Sequence, residues 1–468
     1  MVAEAELFYK SIVDLQNSYE SGETTPIAVT NLFLERIQRY DDQLQSYATV
    51  LNDAAIERAT LLTEELRKGI VRGPLHGIPL AVKDLCDMSS VPTMGGTAVL
   101  EQNVPMIDST VIERLQKAGA VILGKLNLTE GAMGGYNPRR AVPKNPWDVS
   151  KWSGSSSSGS GVATAAGLCV GSLGSDTGGS IRFPSAACGI VGLKPSYGRV
   201  SRFGVLDLAE TLDHVGPMTR SVPDAIEIFK CIAGHDPKDL TTRYEGIPLF
   251  DFEVNGDLSG VVLGYSSDYC EKGVNPEIVK SVLKAKSALI EMGAEFREID
   301  LPDIDSYLPS WKTICSAEAA NAHKTNFPSR SEEYGPWFRE WLTHGHDVTA
   351  NDYIDASRMR SECNGVIQNS FGVIDGLLCP TTINLPHNVD DSISYGPMDN
   401  LRGTSFQRFT VPFDFNGYPT VTLPCGFSDA GMPISMQIVG NMLGEEKICR
   451  VAAEYEKHSN WGARHPII

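Results

Sequence analysis

Hydrophobic positions in residues 1–67 recur every three or four residues, a spacing that is typical of amphipathic helices. One such apolar face, at 29–37, directly follows a Thr25-Pro26 pair. Threonine is a frequent N-cap and proline fits the first turn of a helix, so this pair predicts a helix start. A second, more charged helix is predicted at about 52–68. We therefore expect residues 1–67 to be a helical segment packed on the core.

Beyond residue 68, short apolar runs alternate with amphipathic stretches. Buried strands are predicted at 77–84, 120–125, 169–174, 188–193, 260–268, 373–382, 416–426 and 432–440. Helices are predicted at 109–119, 162–168, 275–292 and 444–457, and 211–234 reads as strand, turn and helix. This alternation predicts an α/β fold, with helices on the faces of a β-sheet.

The stretch 303–353 is rich in aromatic side chains and less regular in its pattern than the rest. It contains three of the six tryptophans, together with five other aromatic residues: Tyr307, Trp311, Phe327, Tyr334, Trp337, Phe338, Trp341 and Tyr353. Core packing explains such a set, and so does an aromatic wall around a substrate. The sequence leaves both explanations open.

Composition narrows the class of protein and its partners. The chain has 468 residues, a formal net charge of −18 and 42% hydrophobic residues. This negative charge disfavours nucleic acid and anionic membrane surfaces as partners, because both attract basic patches. The ten cysteines form no C-x-x-C pair and no cluster with the nine histidines, so we expect free thiols and no metal site. No secretory signal and no long apolar run are evident, which predicts a cytoplasmic protein.

The most unusual stretch is 151–195, which is dense in Gly, Ala and Ser yet contains apolar segments that are typical of buried chain. Small residues with buried flanks let the backbone approach a ligand or a reacting oxygen closely. A G-x-x-x-x-G frame begins at Gly154, but Ser160 and Gly161 stand where a phosphate loop needs Lys and then Ser or Thr. The G-x-S-x-G nucleophile elbow is also absent from this stretch. We expect an active site of another kind.

The five residues 176–180, Asp-Thr-Gly-Gly-Ser, have a chemistry suited to acyl transfer. Two consecutive glycines let successive backbone N–H groups converge on one point, as an oxyanion requires. Ser180 follows them and is the candidate nucleophile. No histidine lies in the block, but a lysine can act as the base if burial keeps it neutral. Lys83, in the apolar strand at 77–84, is the candidate, and spacing alone leaves open whether the two side chains meet.

Several motifs together carry a resemblance to a known family. They are GIPLAVKD (77–84), VILGKLNLTEGAMG (121–134), NPWD (145–148), SGSSSSGSG (153–161), SDTGGSIRFPSAACGIVGLKPSYGRVS (175–201), LDHVGPMTRSV (212–222), GYPTVTLPCG (417–426) and MPISMQIVG (432–440). In order and spacing the chain resembles the amidase signature family, whose members cleave carboxamides with a Ser–Ser–Lys triad. The resemblance implies a single large α/β domain at 68–468, with a central mixed β-sheet covered by helices on both faces. Within it, a variable region at about 300–405 is expected to shape the substrate pocket.

Carried over position by position, the resemblance makes Ser180 the nucleophile, Ser156 the bridging serine and Lys83 the base. The two serines are 24 residues apart, which matches the family's spacing. The peptide bond before the bridging serine, Ser155–Ser156, is expected to be cis. The choice of Ser156 over Ser155 or Ser157 rests on this spacing, because Ser stands at two positions where the family usually has Gly.

The resemblance also implies an oxyanion hole and a braced loop. The hole would consist of the backbone N–H groups of Thr177, Gly178, Gly179 and Ser180. Asp176 and Arg182, which are close in sequence, are expected to brace the loop through an ion pair rather than contact substrate. No cofactor and no metal are implied.

The predicted function is hydrolysis of a small carboxamide by a cytoplasmic enzyme that could be a homodimer. The aromatic residues favour an aryl or apolar group on that carboxamide. The alternative is the A-type subunit of a glutamine-dependent amidotransferase, which delivers ammonia to a partner chain. Two departures weaken that alternative: Gln407 stands where those subunits carry an Asp that grips glutamine, and Asp414 replaces a common Asn. A catalytically inactive scaffold is disfavoured because all three triad residue types are present.

Overall fold

The computed structural model describes residues 7–301, 303–398 and 404–468, which form eleven strands and fifteen α-helices. The strands are β1 Tyr47–Val50, β2 Pro79–Lys83, β3 Val121–Leu126, β4 Gly171–Asp176, β5 Val191–Lys194, β6 His214–Thr219, β7 Val262–Tyr265, β8 Glu295–Glu298, β9 Gly376–Pro380, β10 Thr420–Phe427 and β11 Pro433–Gly440. The helices are α1 Ile12–Glu20, α2 Pro26–Leu44, α3 Asn52–Arg67, α4 Thr110–Lys117, α5 Ser158–Ala165, α6 Arg182–Cys188, α7 Val222–Ile232, α8 Ser267–Glu271, α9 Pro276–Glu291, α10 Leu308–Ala322, α11 Pro336–Asp347, α12 Ala350–Phe371, α13 Asp391–Tyr395, α14 Val411–Phe415 and α15 Glu445–Ser459.

All eleven strands belong to one mixed sheet, in the order β1-β3-β2-β4-β6-β5-β10-β11-β9-β7-β8. The pairs β3–β2, β2–β4, β9–β7 and β7–β8 are parallel, and the remaining pairs are antiparallel. The predicted α/β class, with a mixed sheet in a single domain, is confirmed. No helix in the described ranges is long and apolar enough to cross a membrane.

Helices account for most of residues 7–67, apart from short connections and β1, and residues 1–6 of the predicted helical segment lie outside the described residues. Helix α2 begins where the Thr25-Pro26 pair predicted it, and the Thr25 hydroxyl accepts the N–H of Ala28. The prediction of an entirely helical segment is wrong at Tyr47–Val50, which pairs antiparallel with β3 at the edge of the sheet. Only four residues long and buried at one of them, this strand has too little periodicity to be recognised.

The region from 300 to 405 is more regular than its pattern indicated. It contains three long helices, α10, α11 and α12, rather than irregular chain. Helix α10 buries residues around much of its axis, which weakens its periodic signal, whereas α11 and α12 each bury a single face. The start of α12 has a capping box, in which Thr349 and Asp352 bond to each other's backbone N–H groups.

The carboxyl ends of β2 and β4 position the candidate site. The two strands are parallel neighbours, with Leu80 of β2 opposite Gly171 of β4. The carboxyl ends of parallel strands meet at the same edge of a sheet. Lys83 is the last residue of β2 and Asp176 is the last residue of β4, so the fold brings both to one edge.

Candidate active site

Lys83 is buried at the end of β2 and contacts two serine hydroxyl groups. Its Nζ lies 2.7 Å from Ser156 Oγ and 2.9 Å from Ser175 Oγ. Burial lowers the pKa of Lys83 to about 7, an effect that the nearby carboxylates of Asp176 and Asp213 only partly oppose. A large fraction of Lys83 is therefore neutral near pH 7, and its amine can accept a proton through a serine hydroxyl.

The serine in contact with Lys83 is Ser156, rather than either of its neighbours. Ser156 is fully buried, and the peptide bond that precedes it, Ser155–Ser156, is cis. The Ser157 hydroxyl instead donates to the carbonyl oxygen of Ser175 and accepts its N–H. Ser155 lines the cavity described below.

Ser180 lies in the loop that leaves β4 and leads into α6, and it is partly exposed. Its carbonyl oxygen accepts the N–H of Ser157 at 3.2 Å, which holds the two serine-bearing segments together. Within the described part of the chain, no hydrogen bond joins the Ser180 hydroxyl to the Ser156 hydroxyl. The structure therefore places Lys83 and Ser156 in direct contact, with Ser180 beside them at the cavity.

The Asp176 carboxylate organises the loop that follows β4. It accepts the N–H of Gly179 at 2.7 Å and the N–H of Ile181 at 2.9 Å. The N–H of Gly179 is thus engaged by a buried carboxylate. This contact distinguishes Gly179 from the other three predicted oxyanion donors.

Three of the predicted donors remain, namely the N–H groups of Thr177, Gly178 and Ser180, for which no acceptor is found among the described residues. The carbonyl oxygens of this loop are held from the opposite side. Trp311 Nε1 donates to the carbonyl oxygen of Thr177 at 2.8 Å, and Thr410 Oγ1 donates to that of Gly178 at 2.7 Å. Since C=O and N–H point in opposite directions in a trans peptide, these contacts orient the loop amides.

Arg182 joins the loop to α14 through fully buried ion pairs. It contacts Asp176 at 2.8 Å and Asp414 at 2.6 Å, and it also donates to the carbonyl oxygen of Thr410 at 2.9 Å. Burial by itself would raise the pKa of Asp176, but Arg182 lowers it well below its usual range. Asp176 therefore stays ionised, as an acceptor of loop amides must.

A cavity of about 480 Å³ opens beside Ser180, and its walls are largely apolar. Its lining residues include Ala132, Met133, Gly134, Gly135, Ser155, Thr177, Gly178, Ser180, Phe183, Leu208, Leu308, Pro309, Trp311, Lys312, Trp337, Trp341, Ile393, Met398, Phe406 and Gln407. Among these residues Lys312 is the one with a charged side chain. A cavity of this size and character suits a small organic substrate.

Three tryptophans form one wall of this cavity, which we call the tryptophan wall: Trp311, Trp337 and Trp341. The ring centres of Trp311 and Trp341 are 5.7 Å apart, as are those of Trp337 and Trp341. A Cβ added at Gly134 would lie 2.7 Å from the Trp337 ring, so this glycine lets the ring pack against the chain.

Both explanations offered for the aromatic stretch therefore apply, to different members. The tryptophan wall faces the cavity, whereas the following four are buried in the core: Tyr307, Phe327, Tyr334 and Phe338. The remaining member, Tyr353, is half-buried and donates its hydroxyl to Glu318.

Comparison with known protein families shows the family to which the chain belongs. The family model described as Amidase matches residues 28–449, and the chain belongs to this family. The resemblance that the motifs indicated is confirmed. The protein is thus an enzyme of the amidase family.

Individual relatives cover nearly the whole chain. The protein AmiD of Mycobacterium tuberculosis, whose name marks it as a candidate amidase, is 36% identical over 98% of this chain and 96% of its own length. The A-type subunit of the glutamyl-tRNA(Gln) amidotransferase of Acaryochloris marina is 35% identical over 97% of this chain and 99% of its own. A crystal structure of an amidase has a TM-score of 0.85 and 34% identity, covering 96% of this chain and all of the other.

Sequence reasoning does not find several residues that support the site. Ser175 contacts the Lys83 amine. Asp213 accepts the Thr177 hydroxyl, and Trp311 and Thr410 donate to carbonyl oxygens of the loop. From the sequence, Trp311 is recognisable only as a member of the aromatic stretch. No short-range pattern marks these residues, because their partners are distant in the chain.

Proposed function

We propose that the chain hydrolyses a small apolar or aryl carboxamide through an acyl-enzyme on Ser180. The observation that carries this proposal is the contact between buried Lys83 and Ser156. It lies next to an apolar cavity that Ser155 and Ser180 line. A lysine of lowered pKa, a serine relay and an exposed serine are the parts that acyl transfer requires.

The first half of the reaction transfers the acyl group. Neutral Lys83 takes the proton of Ser156, Ser156 takes that of Ser180, and Ser180 Oγ attacks the amide carbon. The N–H groups of Thr177, Gly178 and Ser180 stabilise the resulting oxyanion. The proton then returns through Ser156 to the leaving nitrogen, which departs as ammonia or an amine and leaves an ester on Ser180.

The second half releases the acid. Water attacks the ester carbon while Lys83, through Ser156, accepts the proton of that water. The tetrahedral intermediate collapses, Ser180 recovers its proton, and the carboxylic acid leaves. Because the Ser180 hydroxyl is not bonded to the Ser156 hydroxyl in the described structure, we expect substrate binding to bring the two within hydrogen-bond reach.

The cavity supports the proposed substrate class. Its tryptophan wall and its methionines favour an apolar or aryl group, and its single charged side chain among the described lining residues is a cation, Lys312. A neutral or anionic amide fits this lining better than a cationic one.

The second candidate function is that of an amidotransferase A-type subunit, which the similarity to the Acaryochloris marina protein favours. Gln407, at the position discussed above, lines the cavity, where an amide offers no charge to pair with the ammonium group of glutamine. Asp414 is buried in an ion pair with Arg182, so its carboxylate does not line the cavity to bind glutamine. These two residues support the free-standing amidase.

An amide panel tests the proposal. Ammonia or amine release would be measured for glutamine, acetamide, benzamide and a peptide amide, with the wild type and with Ser180→Ala. We expect turnover of benzamide that Ser180→Ala abolishes, while the exposed control Ser150→Ala retains it. Full activity of Ser180→Ala would refute the nucleophile, and turnover of glutamine alone would favour the amidotransferase.

A further inference from the structure

Trp311 makes a contact that a wall of a substrate pocket does not need. Its side chain is 4% exposed, and its Nε1 donates to the carbonyl oxygen of Thr177, 134 residues away in the chain, at 2.8 Å. The same ring lies against Gly178: a Cβ added there would be 2.5 Å from Trp311 Cζ2. Trp311 therefore holds the peptide between Thr177 and Gly178 from the side of its carbonyl oxygen.

The orientation of that peptide decides where the Gly178 N–H points. The peptide is trans and planar, so a hydrogen bond to its carbonyl oxygen directs its N–H to the opposite side. That N–H has no acceptor within the described residues, and Gly178 lines the cavity. Without the indole N–H, the peptide would lose the contact that holds its carbonyl away from the cavity.

We infer that Trp311 is a positioning residue for the oxyanion hole, which it serves by fixing the Thr177–Gly178 peptide with its indole N–H. This inference rests on the proposed function. It assigns to helix α10 a part in transition-state stabilisation, besides its part in forming the cavity. Trp311 does not touch the reacting atoms; it acts through the Gly178 N–H.

Trp341 supplies an internal comparison. It belongs to the same tryptophan wall, and its ring centre is 5.7 Å from that of Trp311. Its Nε1 is buried but has no hydrogen-bond partner in the described part of the chain. Removal of the indole N–H should therefore affect the oxyanion hole at Trp311 and not at Trp341, where a change would act on substrate binding through the cavity wall.

The effect should appear in the chemical step rather than in substrate binding. Loss of one oxyanion donor costs about 10²–10³-fold in kcat, and misorientation of a donor should cost less, about 10-fold or more. Because the oxyanion is common to all amides, the loss should be the same for acetamide and for benzamide. A role limited to the pocket wall would instead raise KM for benzamide alone.

The experiment compares Trp311→Phe with Trp341→Phe. For Trp311→Phe we expect kcat to fall by about 10-fold or more with both substrates and KM to change by less than about 3-fold. Binding of phenylboronic acid, whose tetrahedral serine adduct mimics the oxyanion, should weaken in parallel with kcat. Trp341→Phe alters the cavity wall and should act mainly on KM for benzamide. The control for unchanged activity is Trp461→Phe, which lies outside the cavity lining and should retain kcat and phenylboronic acid binding. Equal kcat values for Trp311→Phe and the wild type, or a loss confined to KM, would overturn the inference.

A second substitution keeps the test informative if Trp311→Phe folds poorly. Benzothienylalanine has the shape of tryptophan with sulfur in place of the N–H, and it would be incorporated at position 311 and, as the control, at 341. A loss of kcat at 311 alone supports the inference, whereas equal rates at both positions refute it. If Ser180→Ala abolishes turnover while both changes at 311 leave kcat intact, the proposed function stands and only this inference fails.

Discussion

The Ser/Gly block at 151–195 and the helical region α10–α12 are built in opposite ways; the block, α10 and α11 line the same cavity, and α12 packs against α10. In the block, backbone and small side chains make the contacts: a Cβ added at Gly159 would lie 2.4 Å from the Ser46 carbonyl oxygen. Two charges there, those of Arg182 and Asp176, are fully buried and paired with each other. In the helices, large side chains make most of the contacts: a Cβ added at Gly365 would meet nothing within 4 Å, although one at Gly345 would overlap the Ser316 carbonyl oxygen.

From this difference we expect the block to control the rate of the chemical step and the helices to control substrate selectivity. The block leaves its atoms little freedom to move, so a change there should alter the rate with every substrate. The helices present side chains that can be exchanged without moving the backbone, so a change there should alter which substrate binds. Trp311 is the exception that we infer. It lies on α10, but its indole N–H donates to a carbonyl oxygen of the block.

The largest expected effect is the loss of the base. Lys83→Met keeps the length of the side chain but removes Nζ, and general-base catalysis contributes about 10²–10⁴-fold to a rate. We expect kcat/KM for benzamide to fall by this factor, measured from initial rates, with Tm recorded to check the fold. The control is Lys312→Met in the cavity lining, which should retain kcat. A Lys83→Met enzyme of normal rate would place the base elsewhere.

The next effect is on stability and contrasts two ion pairs. Arg182→Met leaves the buried carboxylates of Asp176 and Asp414 without their partner, which typically costs about 3–5 kcal/mol. On α12, Arg358 and Asp355 form an exposed ion pair, and Arg358→Met should change stability by less than about 0.5 kcal/mol. Urea unfolding measures both free energies. Similar values for the two variants would contradict the difference between the regions.

The pH dependence of the reaction tests the protonation state of Lys83. The neutral amine is the active form and its pKa is about 7, so kcat/KM should rise about 10-fold per pH unit below pH 7 and level off above about pH 8. Burial also raises the pKa of Asp213 to about 7, and Asp213 accepts the Thr177 hydroxyl. Asp213→Asn removes a carboxylate that raises the pKa of Lys83, so the inflection should persist but move to lower pH. If the inflection disappears in that variant, Asp213 rather than Lys83 controls the profile.

A smaller and more selective effect is expected at the tryptophan wall. Trp337→Ala removes an aromatic surface, and aromatic pairing contributes about 0.5–1.5 kcal/mol beyond the area buried. We expect KM for benzamide to rise about 10-fold while kcat/KM for acetamide stays nearly constant. Steady-state kinetics with the two substrates distinguishes these results. An equal loss with both amides would show that the helices affect the chemistry as strongly as the block does.

The smallest effect is expected at Gly365, which we compare with a tightly packed glycine of the block. Gly365→Ala, in an exposed position of α12, should stabilise the protein by up to about 1 kcal/mol, because alanine favours a helix. Gly159→Ala, in α5, should destabilise it strongly, since the new methyl group would overlap the carbonyl oxygens of Ser46 and Asn127. Thermal unfolding measures both. A Gly159→Ala protein as stable as the wild type would show that the block is less tightly packed than its distances indicate.

Local patterns predicted most of the fold. The Thr25-Pro26 helix start, the alternation of strands and helices, and the paired strands β10 and β11 all follow from periodicity and end signals. The short strand β1 and the helices of the 300–405 region did not. Strand β1 is too short for a periodic signal, and α10 buries residues around much of its axis. Helices α11 and α12 each bury one face, and the α11 positions 338, 341, 342 and 345 do have helical spacing in the sequence.

By itself, the sequence determined the α/β class, the family and the residue types of the site, because motifs and periodicity are local properties. Only the tertiary structure decided that Lys83 contacts Ser156, that the Gly179 N–H is held by Asp176, and that an indole from α10 holds the loop. Most of these contacts join residues that are far apart in the chain, and even the short-range one depends on how the loop folds. They arise from the parallel alignment of β2 with β4 and the packing of Trp311 of α10 against the loop that follows β4, which no stretch of sequence specifies alone.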